Sequence, residues 1–168
     1  MQLATIERAK EAFFNGILIP APTEPEGLPR LWSLCDSWMK GIEQEEGPSA
    51  HFFTAALFAY GRRSGPIARE IVTAMLEWLN VLKEAAQEAR KLQEVESETD
   101  PQETAYQFTA ILIGAYSVYL LGERNAFAEA RTAILGGFRS LATDEVPADA
   151  LESVKAWRKH LGNKDRRK

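Results

Sequence analysis

Few side chains in this sequence could carry covalent or metal chemistry. Its 168 residues include one cysteine, Cys35, and two histidines, His51 and His160. A di-iron site in a helical protein needs Glu-x-x-His, but Pro48 and Trp157 stand three residues before the two histidines. Glycine-rich phosphate loops, nucleophile elbows and paired zinc-ligand motifs are also missing. The sequence therefore predicts a protein that is not an enzyme and that holds no metal or cofactor.

The chain does have aromatic and sulfur-bearing side chains at inward positions of several predicted helices. Each of them, taken alone, is more often a core residue than a ligand contact. As a set, bulky rings on helices of unequal length tend to leave a cavity lined by aromatic side chains. The polar ends of a few of these side chains can orient an apolar ligand in it. We therefore expect a site for a small apolar or aromatic molecule, lined by Phe13, Trp32, Cys35, Met39, His51, Phe53, Tyr60, Met75, Trp78, Phe108, Leu112 and Tyr116.

Helices must position these residues, because apolar residues recur at steps of three and four and no stretch alternates with a period of two. The prediction is an all-α bundle of about seven helices. The segments are 2–16, ended by Gly16; Leu28 to Gly47-Pro48; a Ser49 cap to about Ser64; Pro66–Glu94; Pro101–Leu121 after an Asp100 cap; Asn125–Leu141; and a short helix at 151–161. Residues 1–147 would form the helical domain, and 148–168 a short C-terminal helix with a basic tail.

The fifth helix is the least polar segment of the chain. Residues 104–122 contain no charged side chain and could just span a bilayer by length. Threonines, a glutamine and three tyrosines dilute the apolarity, and a central helix of a bundle or a dimer has the same pattern. We therefore expect no membrane span. Together with the sixth helix, whose Gly136-Gly137 pair permits close approach of another backbone, the fifth helix predicts a dimer surface.

Charge is distributed unevenly along the chain. The net charge is −4, but residues 153–168 hold seven of the 20 Lys and Arg and one of the 24 Asp and Glu, which leaves −10 on residues 1–152. Because residues 1–152 are so acidic, they should not bind nucleic acid by themselves. The basic tail could add nonspecific phosphate contacts, or its charges could simply be solvated. The N-terminus has no signal peptide and one cysteine needs no oxidising compartment, so a cytoplasmic protein is expected.

Two motifs and the order of the helices resemble one subgroup of the effector-binding and dimerisation domains in the tetracycline-repressor (TetR) family of bacterial transcription regulators. The motifs are Gly47-Pro48-Ser49-Ala50-His51-Phe52-Phe53-Thr54-Ala55-Ala56 and Arg62-Arg63-Ser64-Gly65-Pro66-Ile67. Trp78, Asp100-Pro101, Ala105, Gly114 and Leu120-Leu121-Gly122 fit the same subgroup. The resemblance spans about Leu3 to Leu141.

The resemblance implies a repressor's sensor domain that binds a small hydrophobic or aromatic effector between the long helix and its neighbours. It also implies a homodimer built on the segments at about 101–121 and 125–141. The candidate interface residues are Ala115, Tyr119, Phe127, Arg131, Ile134, Leu135, Gly137 and Phe138. Family members begin with a helix-turn-helix unit, and only Met1 precedes the first predicted helix here, so we expect DNA contact only through a missing N-terminal domain.

Two other function classes remain open from the sequence. The first is a stand-alone helical interaction protein that forms mixed dimers with full-length regulators and removes them from DNA. The second is a small helical enzyme or cofactor carrier, which the lack of any catalytic motif disfavours.

Overall fold

The computed structural model describes residues 2–18, 26–43 and 50–143, and these form six α-helices. The helices are α1 (Gln2–Leu18), α2 (Leu28–Glu43), α3 (Ala50–Tyr60), α4 (Pro66–Lys91), α5 (Pro101–Leu120) and α6 (Ala126–Leu141). The all-α prediction is confirmed. The predicted seventh helix, the basic tail and the Ser49 cap lie outside the described residues.

Several helix ends follow from the local sequence. Pro66 and Pro101 stand in the first turns of α4 and α5, where a missing N–H costs nothing. Asp100 caps α5 by accepting a 2.9 Å hydrogen bond from the Gln102 N–H. Asn125 occupies the N-cap position of α6, but its side chain makes no capping bond.

Three predicted ends were wrong. The third helix ends at Tyr60 and not near Ser64. The first helix continues through Gly16 to Leu18, since a single exposed glycine weakens a helix without breaking it. The long helix ends at Lys91 and not at Glu94. Gln93 has a left-handed φ of 60°, and the N–H groups of Gln93 and Glu94 bond back to Arg90 and Ala89. This is the double hydrogen bond of a Schellman motif, which stops a helix.

The helix α2 lies in the middle of the bundle. It contacts each of the other five helices, and ten of its 16 residues are buried. The helices α4, α5 and α6 follow one another in the chain and pack as neighbours, while α1 and α3 cover α4. The core is therefore organised around α2.

The segment after α4 is tied to the end of α6. Val95 and Ala142 form an isolated antiparallel bridge, and the Thr143 N–H donates to the Glu94 carbonyl at 3.1 Å. The Thr143 hydroxyl also donates to the Gln93 carbonyl at 2.7 Å. These bonds satisfy backbone groups that two helix ends leave without intrahelical partners.

Candidate functional site

Three of the predicted ligand residues meet where α1, α3 and α4 pack. The ring of Phe13 lies 5.3 Å from that of Phe53 and 6.1 Å from that of Trp78, measured between centroids. Each of the three side chains is at most 1% exposed. Phe52 adds an edge-on contact to Phe53. These rings form an apolar centre, which we call the α1–α3–α4 cluster (Phe13, Phe53 and Trp78).

A second aromatic cluster joins α2, α5 and α6. Phe138 lies edge-on to both Trp32 and Phe108, at centroid distances of 6.2 and 5.0 Å. Cys35 and Met39 are fully buried on the same helix as Trp32. Burial, together with the nearby Asp36 charge, raises the pKa of the Cys35 thiol far above its usual value. The thiolate, which is the nucleophilic form of the side chain, is therefore disfavoured at this position.

A line of rings runs from the core to the surface. Trp38 contacts Phe127, which contacts Tyr119; Tyr119 contacts Tyr116, and Tyr116 stacks on Phe58. Tyr116 is 1% exposed, whereas Phe58 is 59% exposed. Burial, and secondarily the neighbouring Tyr119, raises the pKa of Tyr116, so its phenol stays neutral at physiological pH.

The predicted ligand set is thus divided among different clusters. Met75 and Leu112 are buried in the same core, but Tyr60 is 40% exposed, with the Arg63 guanidinium 5.1 Å from its ring centroid. The side chain of His51 lies outside what the structure describes. Trp38 and Phe58, which belong to the line of rings, were missing from the predicted set.

The predicted dimer residues point mostly into the chain's own core. The side chains of Phe127, Ile134 and Phe138 are at most 1% exposed. A Cβ at Gly137 would stand 2.9 Å from Phe108 Cε1, so this glycine allows close packing of α5 on α6 within one chain. Its neighbour Gly136 is exposed and has nothing near the position of a Cβ.

The outer surface of α5 and α6 contains an open groove of about 450 Å³. Small side chains form most of its floor, and one predicted interface residue, Ala115, belongs to it. Its walls carry only two charged side chains, Glu123 and Glu129. The lining residues are Ile111, Gly114, Ala115, Val118, Glu123, Asn125, Ala126, Glu129, Ala130 and Ala133.

A buried charge cluster connects α2 to α6. Arg131 donates from Nε to Asp36 at 2.7 Å, and from its two terminal nitrogens to both carboxylate oxygens of Glu43 at 2.9 and 2.7 Å. Lys40 pairs with the second Asp36 oxygen. Burial alone lowers the pKa of Arg131, but the bonds to Glu43 and Asp36 outweigh this effect and raise it.

A shallower groove of about 590 Å³ lies between α1 and α4, with Phe14, Leu76 and Val81 among its lining residues. The Lys10–Glu77 ion pair, 2.6 Å long, joins the two helices beside it. Within residues 2–18, 26–43 and 50–143, no three His, Cys, Asp or Glu side chains are grouped closely enough to hold a metal ion. In the same part of the chain, every helix is too short or too polar to cross a bilayer.

The chain matches a known protein family. The family model described as "Tetracyclin repressor-like, C-terminal domain" matches residues 27–134, a range that runs from the residue before α2 into α6. A search of curated proteins found no match.

Proposed function

Because the chain belongs to the family of tetracyclin repressor-like C-terminal domains, we propose that it senses a small apolar or aromatic effector and dimerises as part of a transcriptional repressor. The role is regulatory and not enzymatic. A repressor acts where its DNA lies, so the proposal implies a cytoplasmic protein. We assign no DNA contact to α1–α6, and operator binding would belong to a separate DNA-binding unit.

The observation that carries the proposal is the outer face of α5 and α6. Between Thr104 and Gly122 the chain has no charged residue, yet Tyr106 is 70% and Leu121 is 81% exposed. An uncharged face with a groove floored by glycine and alanine fits an interface better than a solvated surface. A second copy of this chain is the occupant we propose, because the resemblance to the TetR effector-binding and dimerisation domains implies a homodimer built on these two helices.

A two-fold axis on α6 would make this face self-complementary. In an isologous dimer the same patch meets itself, and antiparallel α6 helices would cross between Ala133 and Gly136. Glu129 and Arg139 are both exposed and stand about 15 Å apart along the helix. The crossing would bring Glu129 close to Arg139 of the partner subunit, twice in the dimer.

Sedimentation velocity with charge-reversal variants tests the dimer. The wild type should be dimeric at micromolar concentration, and Glu129→Arg or Arg139→Glu alone should weaken the dimer about tenfold or more by opposing like charges. The double reversal should restore it. Glu11→Arg, an exposed change on α1, is the control. A monomeric wild type would refute the proposal.

The ligand is proposed to lie at the α1–α3–α4 cluster, because three helices contribute rings there and ring faces suit an aromatic or apolar guest. Mass spectrometry of the protein purified under native conditions should find such a compound, which is released on denaturation. Trp78→Ala should lose it and still dimerise, whereas Leu92→Ala, an exposed change at the end of the same helix, should retain it. Loss of the dimer in Trp78→Ala would mean that Trp78 serves only the core.

A further inference from the structure

The helices α2 and α6 run antiparallel and touch at both ends. Trp32, in the first half of α2, meets Phe138 in the last half of α6. Trp38, in the second half of α2, meets Phe127 at the start of α6. Two edge-on ring contacts therefore fix the register between the helices.

The buried charge cluster joins the C-terminal half of α2 to α6. Among the described residues, the positive charges of Arg131 and Lys40 face the negative charges of Asp36 and Glu43. Arg131 and Asp36 are 5% and 8% exposed, and Glu43 is 39% exposed. Because the Arg131 fork engages two carboxylates, one of them through both oxygens, a small shift of α2 along α6 would break several charge-assisted bonds together.

The beginning of α2 is also joined to α6, through the segment after α4. The Glu94 carboxylate accepts the Leu28 N–H at 2.7 Å, and the backbone of Glu94 is bonded to Thr143, just beyond α6. The two ends of α2 are thus linked to opposite ends of α6. By comparison, the described contacts of α3 with its neighbours include ring packing and helix contacts. Such contacts can adjust more gradually than the bidentate ion pair that joins α2 to α6.

We infer that Arg131 is a positioning residue that makes α2 and α6 one rigid unit and so couples the effector site to the dimer face. The inference rests on the proposed function. The helix α2 packs against α1, α3 and α4, the three helices that hold the proposed effector site, and α6 carries the exposed face around Gly136. An effector that displaces α2 therefore displaces α6, and by linkage dimerisation changes effector affinity by the same factor.

Glu43→Gln tests the coupling with little risk to folding, because Glu43 is partly exposed and glutamine has the same shape. It should weaken the dimer about fivefold, the lower end of the range for coupled sites, although Glu43 is not on the proposed dimer face. Arg131→Lys, which keeps the charge and loses the fork, should act in the same direction. Glu88→Gln is the matched control, since Glu88 is 32% exposed and pairs with Lys91 inside α4.

Dimer dissociation constants, measured by sedimentation well below the melting temperature, separate the outcomes. If the Glu43→Gln dimer has the same dissociation constant as the wild-type dimer, the coupling is refuted and the proposed function still stands. A purely structural contact would lower only the melting temperature. An equal change in Glu88→Gln also refutes it. A monomeric wild type overturns the proposed function and the inference together.

Native-state hydrogen exchange tests the rigid unit in the wild type, without any variant. The amides of α2 and α6 should lose protection in one opening with one free energy as denaturant is added. Opening of α2 at lower denaturant, with α6 still protected, would refute the inference.

Discussion

The carboxylate of Glu94 occupies the space beside Gly27 that the Cβ of any other residue would need. Gly27 has a φ of 89°, and the next residue, Leu28, donates its N–H to the same carboxylate. Glu94 thus supplies the acceptor at the start of α2 that a capping side chain would otherwise provide. The glycine and the glutamate together set where the central helix begins.

Gly27→Ala should destabilise the fold by about 2 kcal/mol or more, because it adds left-handed strain and displaces the Glu94 carboxylate. Urea denaturation gives the free energy of unfolding. Gly122→Ala is the control, since Gly122 has a φ of 91° and open space around its Cβ position. Equal losses in the two variants would mean that Glu94 adds nothing to the cost.

Glu94→Gln should change how stability depends on pH. Burial raises the pKa of Glu94, although the Leu28 hydrogen bond acts in the opposite direction. A carboxyl with a raised folded pKa contributes stability that is complete below its unfolded pKa and is lost as pH rises through the folded pKa. The free energy of unfolding of the wild type, relative to Glu94→Gln, should therefore fall from about pH 4.3, the ordinary glutamate value, towards neutrality. A difference that stays constant with pH would contradict this, and Glu98→Gln provides an exposed reference.

Gly136→Ala should stabilise the single chain and weaken the dimer. An exposed alanine in a helix gains about 0.5–1 kcal/mol over glycine, and nothing in the chain obstructs the new methyl group. At the proposed interface, overpacking costs about 1–3 kcal/mol, which raises the dissociation constant about 5- to 150-fold. Gly16→Ala, also exposed with open space, should give the stability gain alone. A tighter dimer in Gly136→Ala would show that the interface lies elsewhere on the chain.

Cys35 should resist labelling by a thiol reagent in the native protein, because it is fully buried and its thiolate is disfavoured. We expect labelling about a thousandfold slower than for an exposed thiol, limited by opening of the core. A Ser64→Cys, Cys35→Ser variant provides the exposed reference on the turn before α4. Comparable rates in the two proteins would show that α2 opens readily.

The helices were largely predictable because their signals are local. Periodicity marks the core side of α4, and an aspartate followed by proline marks the start of α5. The end of α4 was not predictable, because Gln93 takes a left-handed conformation that usually calls for glycine.

It was harder to predict from the sequence what packs against the apolar face of each helix. Phe127, Ile134 and Phe138 read equally well as core or interface, since periodicity tells which residues share a face and not what covers that face. Arg131 bonds to Asp36, 95 residues away, and no spacing rule connects two such positions. The sequence could not tell that Gly137 packs on Phe108 within the chain whereas Gly136 is exposed.

The links that hold α2 also have a kinetic consequence. They join residues 66, 88 and 95 positions apart, whereas α4, α5 and α6 are consecutive in the chain. Closing long loops costs entropy before the contacts repay it, so we expect the α4–α5–α6 hairpins to form first and α2 to dock after the transition state. Stopped-flow measurements should then show that Glu43→Gln speeds unfolding and leaves the folding rate unchanged. The contacts of α2 would then be the last to form on the folding pathway, whereas at equilibrium α2 and α6 open together.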